Sequence, residues 1–105
     1  MTNDNYETKL DWLMNSWSAA ARRIGVKFVP FALPGFNRND DPEETVKRDL
    51  SKWSARLRIA KKYLDPELKL MILTSFNEWF ENTYVEPSTN EKFDYLQATR
   101  GAISS

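Results

Sequence analysis

The chain has 105 residues, 41% of them hydrophobic, so it is expected to fold as one domain with a modest core. Its 15 basic residues balance its 15 acidic residues, and a zero net charge gives no electrostatic attraction to nucleic acid or to an anionic membrane surface. The chain contains neither cysteine nor histidine. This excludes disulfides and thiolate chemistry and argues against zinc sites and against serine–histidine or cysteine–histidine catalysis.

Membrane insertion and secretion are not expected either. No stretch reaches the roughly 18 apolar residues that a membrane span needs. Residues 1–5 lack the charged and apolar regions of a signal peptide. A cytoplasmic protein is therefore the expectation, and any catalysis has to use carboxylates, lysine, tyrosine or arginine.

The first predicted element is a helix over residues 6 to about 23, because apolar side chains recur at intervals of three and four. Asp4 or Asn5 is placed to cap its start, and Gly25 follows as a stop. Two arginines in the last turn complement the helix dipole. The predicted apolar stripe consists of Leu10, Leu13, Trp17, Ala20 and Ile24.

Residues 26–32 are predicted to form the first strand, since they include several good strand formers. Pro30 removes one donor from the ladder, which favours an edge, a bulge or pairing on one side only. The turn residues of 33–40 predict a loop after the carboxyl end of this strand. Arg38 in that loop could hold a carboxylate or a sugar hydroxyl, and a solvated loop arginine is the alternative.

A second helix is predicted to start at Asp41, which can cap it, with Pro42 at its first position, and to stop at Asp65 before a proline. Its apolar stripe consists of Val46, Leu50, Trp53, Leu57, Ala60 and Leu64. Its basic residues are Lys47, Arg48, Lys52, Arg56, Arg58, Lys61 and Lys62. We interpret them as a solvated helix face rather than a nucleic-acid interface, because acids elsewhere neutralise the total charge.

The chain is organised around its second predicted strand, residues 69–75, a continuous apolar run of the kind that is covered on both faces. Polar groups begin where this strand ends, and active sites of parallel α/β folds lie there. Three glutamates and three rings follow: Glu78, Glu81, Glu86, Phe76, Trp79 and Tyr84. Rings beside carboxylates suit a sugar, whose C–H faces stack and whose acetal needs an acid. The acids could also bind Ca²⁺ or Mg²⁺, but the interleaved rings argue against a metal site.

Residues 92–99 predict a final short helix that Gly101 frays. The order α-β-α-β-α over residues 1–105 predicts a single α/β domain built on one βαβ unit with flanking helices. The strands should be parallel and their crossover right-handed. Two parallel strands do not close a core and leave unpaired edges. Either the chain pairs with copies of itself or it is a piece of something larger. We predict a homo-oligomer in which strand edges or helix faces are buried between chains.

Residues 72–87 resemble the "ITSFNEW-x-EGT-x-IEP" segment of glycoside hydrolase family 99, the endo-α-mannosidase type. They are also similar to the "AWNEWAEG-x-x-LEP" segment of WbsX-like polysaccharide-biosynthesis proteins. Residues 31–38 resemble the "PGY…R" loop that precedes this segment in such enzymes. Both families are (β/α)8 barrels, so the resemblance implies that the chain corresponds to about the last quarter of such a barrel.

The resemblance also implies roles for individual residues. Glu78 and Glu81 would be the paired catalytic carboxylates of a retaining enzyme. Glu81 would be the acid/base, and Glu78 would assist the sugar's own 2-hydroxyl as internal nucleophile. The substrate site would be shaped by Asn77, Trp79, Tyr84, Glu86 and Arg38. Asn82 stands where the family has glycine, and asparagine is the least disruptive replacement if that position has a positive φ.

Two classes of function follow. The first is a carbohydrate-active protein that cleaves α-linked glycans through Glu78 and Glu81, without cofactor or metal. Such cleavage needs one carboxylic acid to protonate the leaving oxygen and a second carboxylate that assists on the opposite side. The second is a non-catalytic barrel remnant that self-associates as a structural module.

Overall fold

The structure is a computed structural model that describes residues 5–36, 46–76, 78–80 and 82–104. Within these ranges the elements are α1 (Tyr6–Ile24), β1 (Phe31–Ala32), α2 (Leu50–Lys62), β2 (Ile72–Leu73) and α3 (Asp94–Ser104). This confirms the predicted α-β-α-β-α order and a small mixed α/β domain. Among the described residues, none of the helices combines the length and the hydropathy that a membrane span requires.

The two strands pair in parallel in a register that sets Phe31 opposite Ile72 and Ala32 opposite Leu73. The amide of Ile72 donates to the carbonyl of Pro30, and the amide of Thr74 donates to the carbonyl of Ala32, each at 2.9 Å. Because α2 lies between the strands in sequence, they form the predicted βαβ unit. Each strand is only two residues long, and Pro30 has no amide hydrogen with which to extend the ladder.

Helix α1 ends as predicted but buries a different face. Gly25 has φ +77°, and the amide of Val26 donates to the carbonyl of Ala21 at 3.0 Å, which closes the helix. The buried residues are Tyr6, Leu10, Met14, Ser18 and Ala21. Trp17 and Ile24 of the predicted stripe are exposed, since the helix carries two apolar stripes and only one meets α2.

Helix α2 begins later than the sequence predicts. Asp49 is its N-cap, and its carboxylate accepts a hydrogen bond from the amide of Lys52 at 3.1 Å. Val46 is not helical, because its amide and carbonyl pair with those of Phe36 at 2.9 and 2.8 Å. The predicted start at Asp41 lies outside the described residues.

Helix α3 begins at Asp94 and continues through Gly101 to Ser104, so the expected fraying at Gly101 is wrong. The core is centred on α2, which packs against α1, α3 and β1. It consists of Tyr6, Leu10, Met14, Ala32, Val46, Trp53, Leu57, Ala60, Val85, Tyr95 and Ala102. Trp53 is fully buried, and its indole nitrogen donates to the hydroxyl of Thr99 at 3.0 Å.

The expectation that β2 is covered on both faces is wrong for the described part of the chain. Leu70 and Ile72 are each 56% exposed, and Phe76 beyond the strand is also exposed. In a parallel ladder alternate residues bond the partner strand, so the peptide groups of Phe31 and Leu73 point to the outer edges. The sheet therefore has an apolar face and two edges without a strand neighbour among the described residues.

The interpretation of the basic residues before and on α2 as uniformly solvated is also wrong. Arg56 is only 1% exposed, and its guanidinium pairs with the carboxylate of Glu7 at 3.0 Å and donates to the carbonyl of Pro34 at 2.6 Å. Arg48 is partly buried at the end of the segment that precedes α2. Carboxylates and loop carbonyls satisfy these guanidinium groups, which is why they can lie inside.

Candidate functional site

The candidate site is the segment of residues 74–87, called the β2 loop below, which follows the carboxyl end of β2 as predicted. Four of the predicted site residues are described and lie in it: Glu78, Trp79, Tyr84 and Glu86. The other three predicted site residues, Arg38, Asn77 and Glu81, lie outside the described residues.

The β2 loop folds back on itself through backbone hydrogen bonds. The amide of Ser75 donates to the carbonyl of Thr83 at 2.6 Å, and the amide of Glu86 donates to the carbonyl of Phe76 at 2.8 Å. The hydroxyls of Ser75 and Thr83 also lie 2.7 Å apart, and Thr83 is buried. The peptide bond between Thr74 and Ser75 is cis. The hydrogen bonds join the two arms of the loop at their base, and Glu78, Trp79, Phe80 and Asn82 lie at its tip.

Glu78 lies at this tip and is exposed. Its amide donates to the hydroxyl of Ser75 at 3.0 Å, and its carboxylate accepts a hydrogen bond from the amide of Phe80 at 3.1 Å. Asn82 has φ +57°, the left-handed region in which asparagine is the best tolerated residue after glycine. The tip is therefore a tight turn whose solvent side presents the Glu78 carboxylate.

Two predicted substrate residues stack on each other. The rings of Trp79 and Tyr84 are 3.8 Å apart between centroids and 20° from parallel. The indole nitrogen of Trp79 donates to the carboxylate of Glu86 at 2.7 Å. We call these three residues the ring cluster. Trp79 is 40% exposed, so part of its surface can contact a ligand.

Arg48 and Glu91 belong to the same site, and the sequence prediction missed both. One guanidinium nitrogen of Arg48 donates to the carbonyls of Asn82 and Tyr84, at 3.0 and 2.8 Å. Its two other nitrogens bind the Glu91 carboxylate at 3.0 and 2.7 Å. The guanidinium also lies over the ring of Tyr84 at 3.8 Å and over that of Tyr95 at 4.3 Å.

The sequence offers little signal for this pair. Arg48 stands in a row of basic residues, and Glu91 is 43 positions further along the chain. The one usable hint is that Asp49 is a better helix cap than its neighbours, which places Arg48 before the helix rather than on its solvated face.

Burial is the main electrostatic influence on Tyr84. Burial raises the pKa of its phenol above the ordinary value, the positive charge of Arg48 opposes this rise, and Glu91 adds to it. Tyr84 therefore stays protonated at neutral pH.

The arrangement offers an aromatic surface with a protonated phenol and carboxylate acceptors nearby, a combination that can bind polyhydroxylated molecules by stacking and hydrogen bonding. Among the described residues there is no group of three or more His, Cys, Asp or Glu that could hold a metal ion. Comparisons of the chain with protein-family models, with curated proteins and with solved structures give no match.

Proposed function

We propose that the chain is a carbohydrate-active segment of a (β/α)8-type glycoside hydrolase that acts on α-linked glycans. The observation that supports this best is the ring cluster beside Glu78 after a parallel strand, where such folds place their chemistry. A sugar needs an aromatic face for its C–H groups and carboxylates for its hydroxyls, and Trp79, Glu86 and Glu78 are of these types. The resemblance of residues 72–87 to the mannosidase-type motif supports the same assignment.

In the proposed mechanism Glu78 acts on the sugar's 2-hydroxyl, and Glu81 acts on the leaving group and then on water. The Glu78 carboxylate accepts the proton of the sugar's 2-hydroxyl while that oxygen attacks the anomeric carbon. The bond from the anomeric carbon to the leaving oxygen breaks, and the Glu81 carboxylic acid protonates the leaving group. Glu81 then takes a proton from water, whose oxygen attacks the anomeric carbon. The bond between that carbon and the 2-oxygen breaks, and Glu78 returns its proton to the 2-oxygen, so both glutamates are regenerated and the configuration is retained.

The proposal also assigns a specific fold, a (β/α)8 barrel in which β1 and β2 are neighbouring strands. The exposed apolar side chains of Leu70, Ile72 and Phe76 then face its interior or neighbouring strands. The outward peptide groups of Phe31 and Leu73 bond the adjacent strands, which removes both edges.

Hydrolysis of aryl α-mannosides and of α-linked manno-oligosaccharides tests the function. We expect Glu81→Gln and Glu78→Gln each to lower the rate by about 10²- to 10⁴-fold, the usual contribution of a positioned acid or base. Glu67→Gln, at an exposed glutamate after α2, is the matched control and should keep the wild-type rate. Activity that survives in Glu81→Gln ends the enzymatic assignment, as does a wild-type chain that neither cleaves nor binds these sugars.

A second candidate function is a structural module that self-associates. The same apolar face and open strand edges favour it, because a second copy of the chain could pair with an edge and cover Leu70 and Ile72. The zero net charge means that two copies do not repel each other overall.

A further inference from the structure

We propose that Arg48 is a positioning residue that holds the ring cluster in place. It joins the β2 loop to the segment before α2 and to Glu91 at the start of the last helical region. The role in holding the rings stands on the contacts alone, whereas its consequence for sugar binding rests on the proposed function.

The contacts of Arg48 divide into three groups. Hydrogen bonds to the carbonyls of Asn82 and Tyr84 hold the returning arm of the β2 loop. The paired bonds to Glu91 fix the plane of the guanidinium. That plane lies over the ring of Tyr84, which lies against Trp79 in turn, so the order of layers is guanidinium, phenol, indole. The indole is therefore held from one side by contacts that begin at Arg48, in addition to its hydrogen bond to Glu86.

Arg48 also reaches the loop that follows β1. A Cβ atom added to Gly35 would lie 2.5 Å from Cγ of Arg48 and 3.1 Å from its backbone nitrogen. This close approach means that the stem of Arg48 packs directly against the backbone of the first loop. One side chain thus contacts the loops at the carboxyl ends of both strands, where the candidate site lies.

Lysine could not do the same. Its ammonium is a single point of charge, whereas the planar guanidinium binds a carboxylate with two parallel bonds, donates to two carbonyls and stacks on rings at once. The geometry at Arg48 uses all of these features, so conservative replacement by lysine should release the rings while it keeps the positive charge.

The stacked pair provides a direct readout, because coupled Trp and Tyr transitions give a near-ultraviolet circular dichroism band. The chain has four tryptophans, so the band is defined as the difference between the wild type and Trp79→Leu. We expect Arg48→Lys and Arg48→Met to lose most of this band. Arg58→Lys and Arg58→Met, at an exposed arginine of α2, should keep it. Far-ultraviolet spectra establish that each variant is folded, and Arg48→Lys serves where Arg48→Met does not fold.

Titration of Tyr84 gives a second readout. For Arg48→Met, a positioning role and a purely electrostatic role predict opposite changes in the pKa of the Tyr84 phenol. If Arg48 positions the loop, its loss exposes Tyr84 to water, and the phenol pKa falls towards its ordinary value because burial is the main cause of its rise. If Arg48 is only a neighbouring charge, its loss raises the pKa further. Tyrosinate absorbance measures this, with Tyr84→Phe in each background to isolate the contribution of Tyr84.

Sugar affinity connects the inference to the proposed function. We expect Arg48→Lys to weaken the binding of a manno-oligosaccharide about tenfold, as for the loss of one charge-assisted hydrogen bond, and Arg58→Lys to leave it unchanged.

An intact band in both Arg48 variants overturns the positioning role, as does a higher Tyr84 pKa in Arg48→Met. Sugar binding that is equally tight in Arg48→Lys overturns the link to the site. A wild type that binds no sugar counts against the proposed function alone, since both spectroscopic tests still decide on Arg48.

Discussion

Arg56 lies two residues before Arg58 on α2, so the two side chains point to nearly opposite sides of the helix. The Arg58 side chain is exposed, whereas that of Arg56 is fully buried. Its guanidinium pairs with Glu7 at 3.0 Å, and the ring of Tyr6 lies 4.9 Å from its central carbon. The guanidinium also donates a hydrogen bond to the carbonyl of Pro34 at 2.6 Å. A buried charge is tolerated only with such full pairing, because its desolvation costs several kcal/mol. Arg56 therefore attaches α1 and the loop after β1 to α2.

Replacing Arg56 tests this role. We expect Arg56→Ala to lower the free energy of unfolding by about 3–5 kcal/mol, because it leaves Glu7 without its buried partner and the loop carbonyls without a donor. Arg58→Ala is the matched control on the same helix and should change it by less than about 0.5 kcal/mol. Urea denaturation followed by circular dichroism measures both. Equal effects of the two substitutions would contradict a structural role for Arg56.

At the scale of the helix, two glycines have opposite roles. Gly25 ends α1 in the left-handed region, with φ +77°, where a side chain is strained. Gly101 lies inside α3, and an added Cβ there would meet nothing within 4 Å. The first glycine is needed by the backbone, whereas the second only raises the conformational entropy of the unfolded chain.

Alanine at each glycine should therefore change stability in opposite directions. We expect Gly25→Ala to destabilise the fold by about 1–2 kcal/mol, because alanine strains the left-handed cap. We expect Gly101→Ala to stabilise it by about 0.5–1 kcal/mol through better helix propensity. Thermal and urea unfolding of the two variants provide the comparison, and a destabilised Gly101→Ala would show that α3 needs flexibility at that position.

At the scale of the whole molecule, the sheet has two short strands within the part of the chain that the structure describes. Helix α2 packs against β1, whereas Leu70, two residues before β2, and Ile72, in β2, are more than half exposed. Exposed apolar faces beside open strand edges favour association with another chain or with further strands. In the isolated chain, we expect other copies of the chain to cover these apolar side chains and strand edges.

We expect the purified chain to self-associate through the sheet. Replacement of both Leu70 and Ile72 by lysine should raise the dissociation constant at least about tenfold, because two charges would have to be buried at the interface. Trp12→Lys is the control, since Trp12 is 62% exposed but lies on α1 and is no part of the sheet. Sedimentation velocity over a concentration series measures both. A wild-type chain that stays a monodisperse monomer would refute the expectation.

Local signals in the sequence are sufficient for most of the elements. Helix α1 and its stop at Gly25 follow from periodicity and from the need for a left-handed residue, and both agree with the structure. The position of the β2 loop follows from a run of apolar residues that gives way to polar ones, and Glu78, Trp79 and Glu86 do lie in this loop. These features depend on neighbours close in the chain, so one-dimensional patterns contain them.

Only the tertiary structure decided which helix face is buried, where α2 begins and which basic side chains lie inside. The buried stripe of α1 and the start of α2 depended on contacts with other elements, such as the pairing of Val46 with Phe36. The positions of Arg48 and Arg56 depended on partners more than 20 residues away, of which Glu91 is one. A basic residue becomes buried only where distant carboxylates and carbonyls converge to satisfy it, and no local pattern records that convergence. The sequence by itself therefore determined which elements form and where the acids and rings lie, whereas long-range packing decided which side chains hold them together.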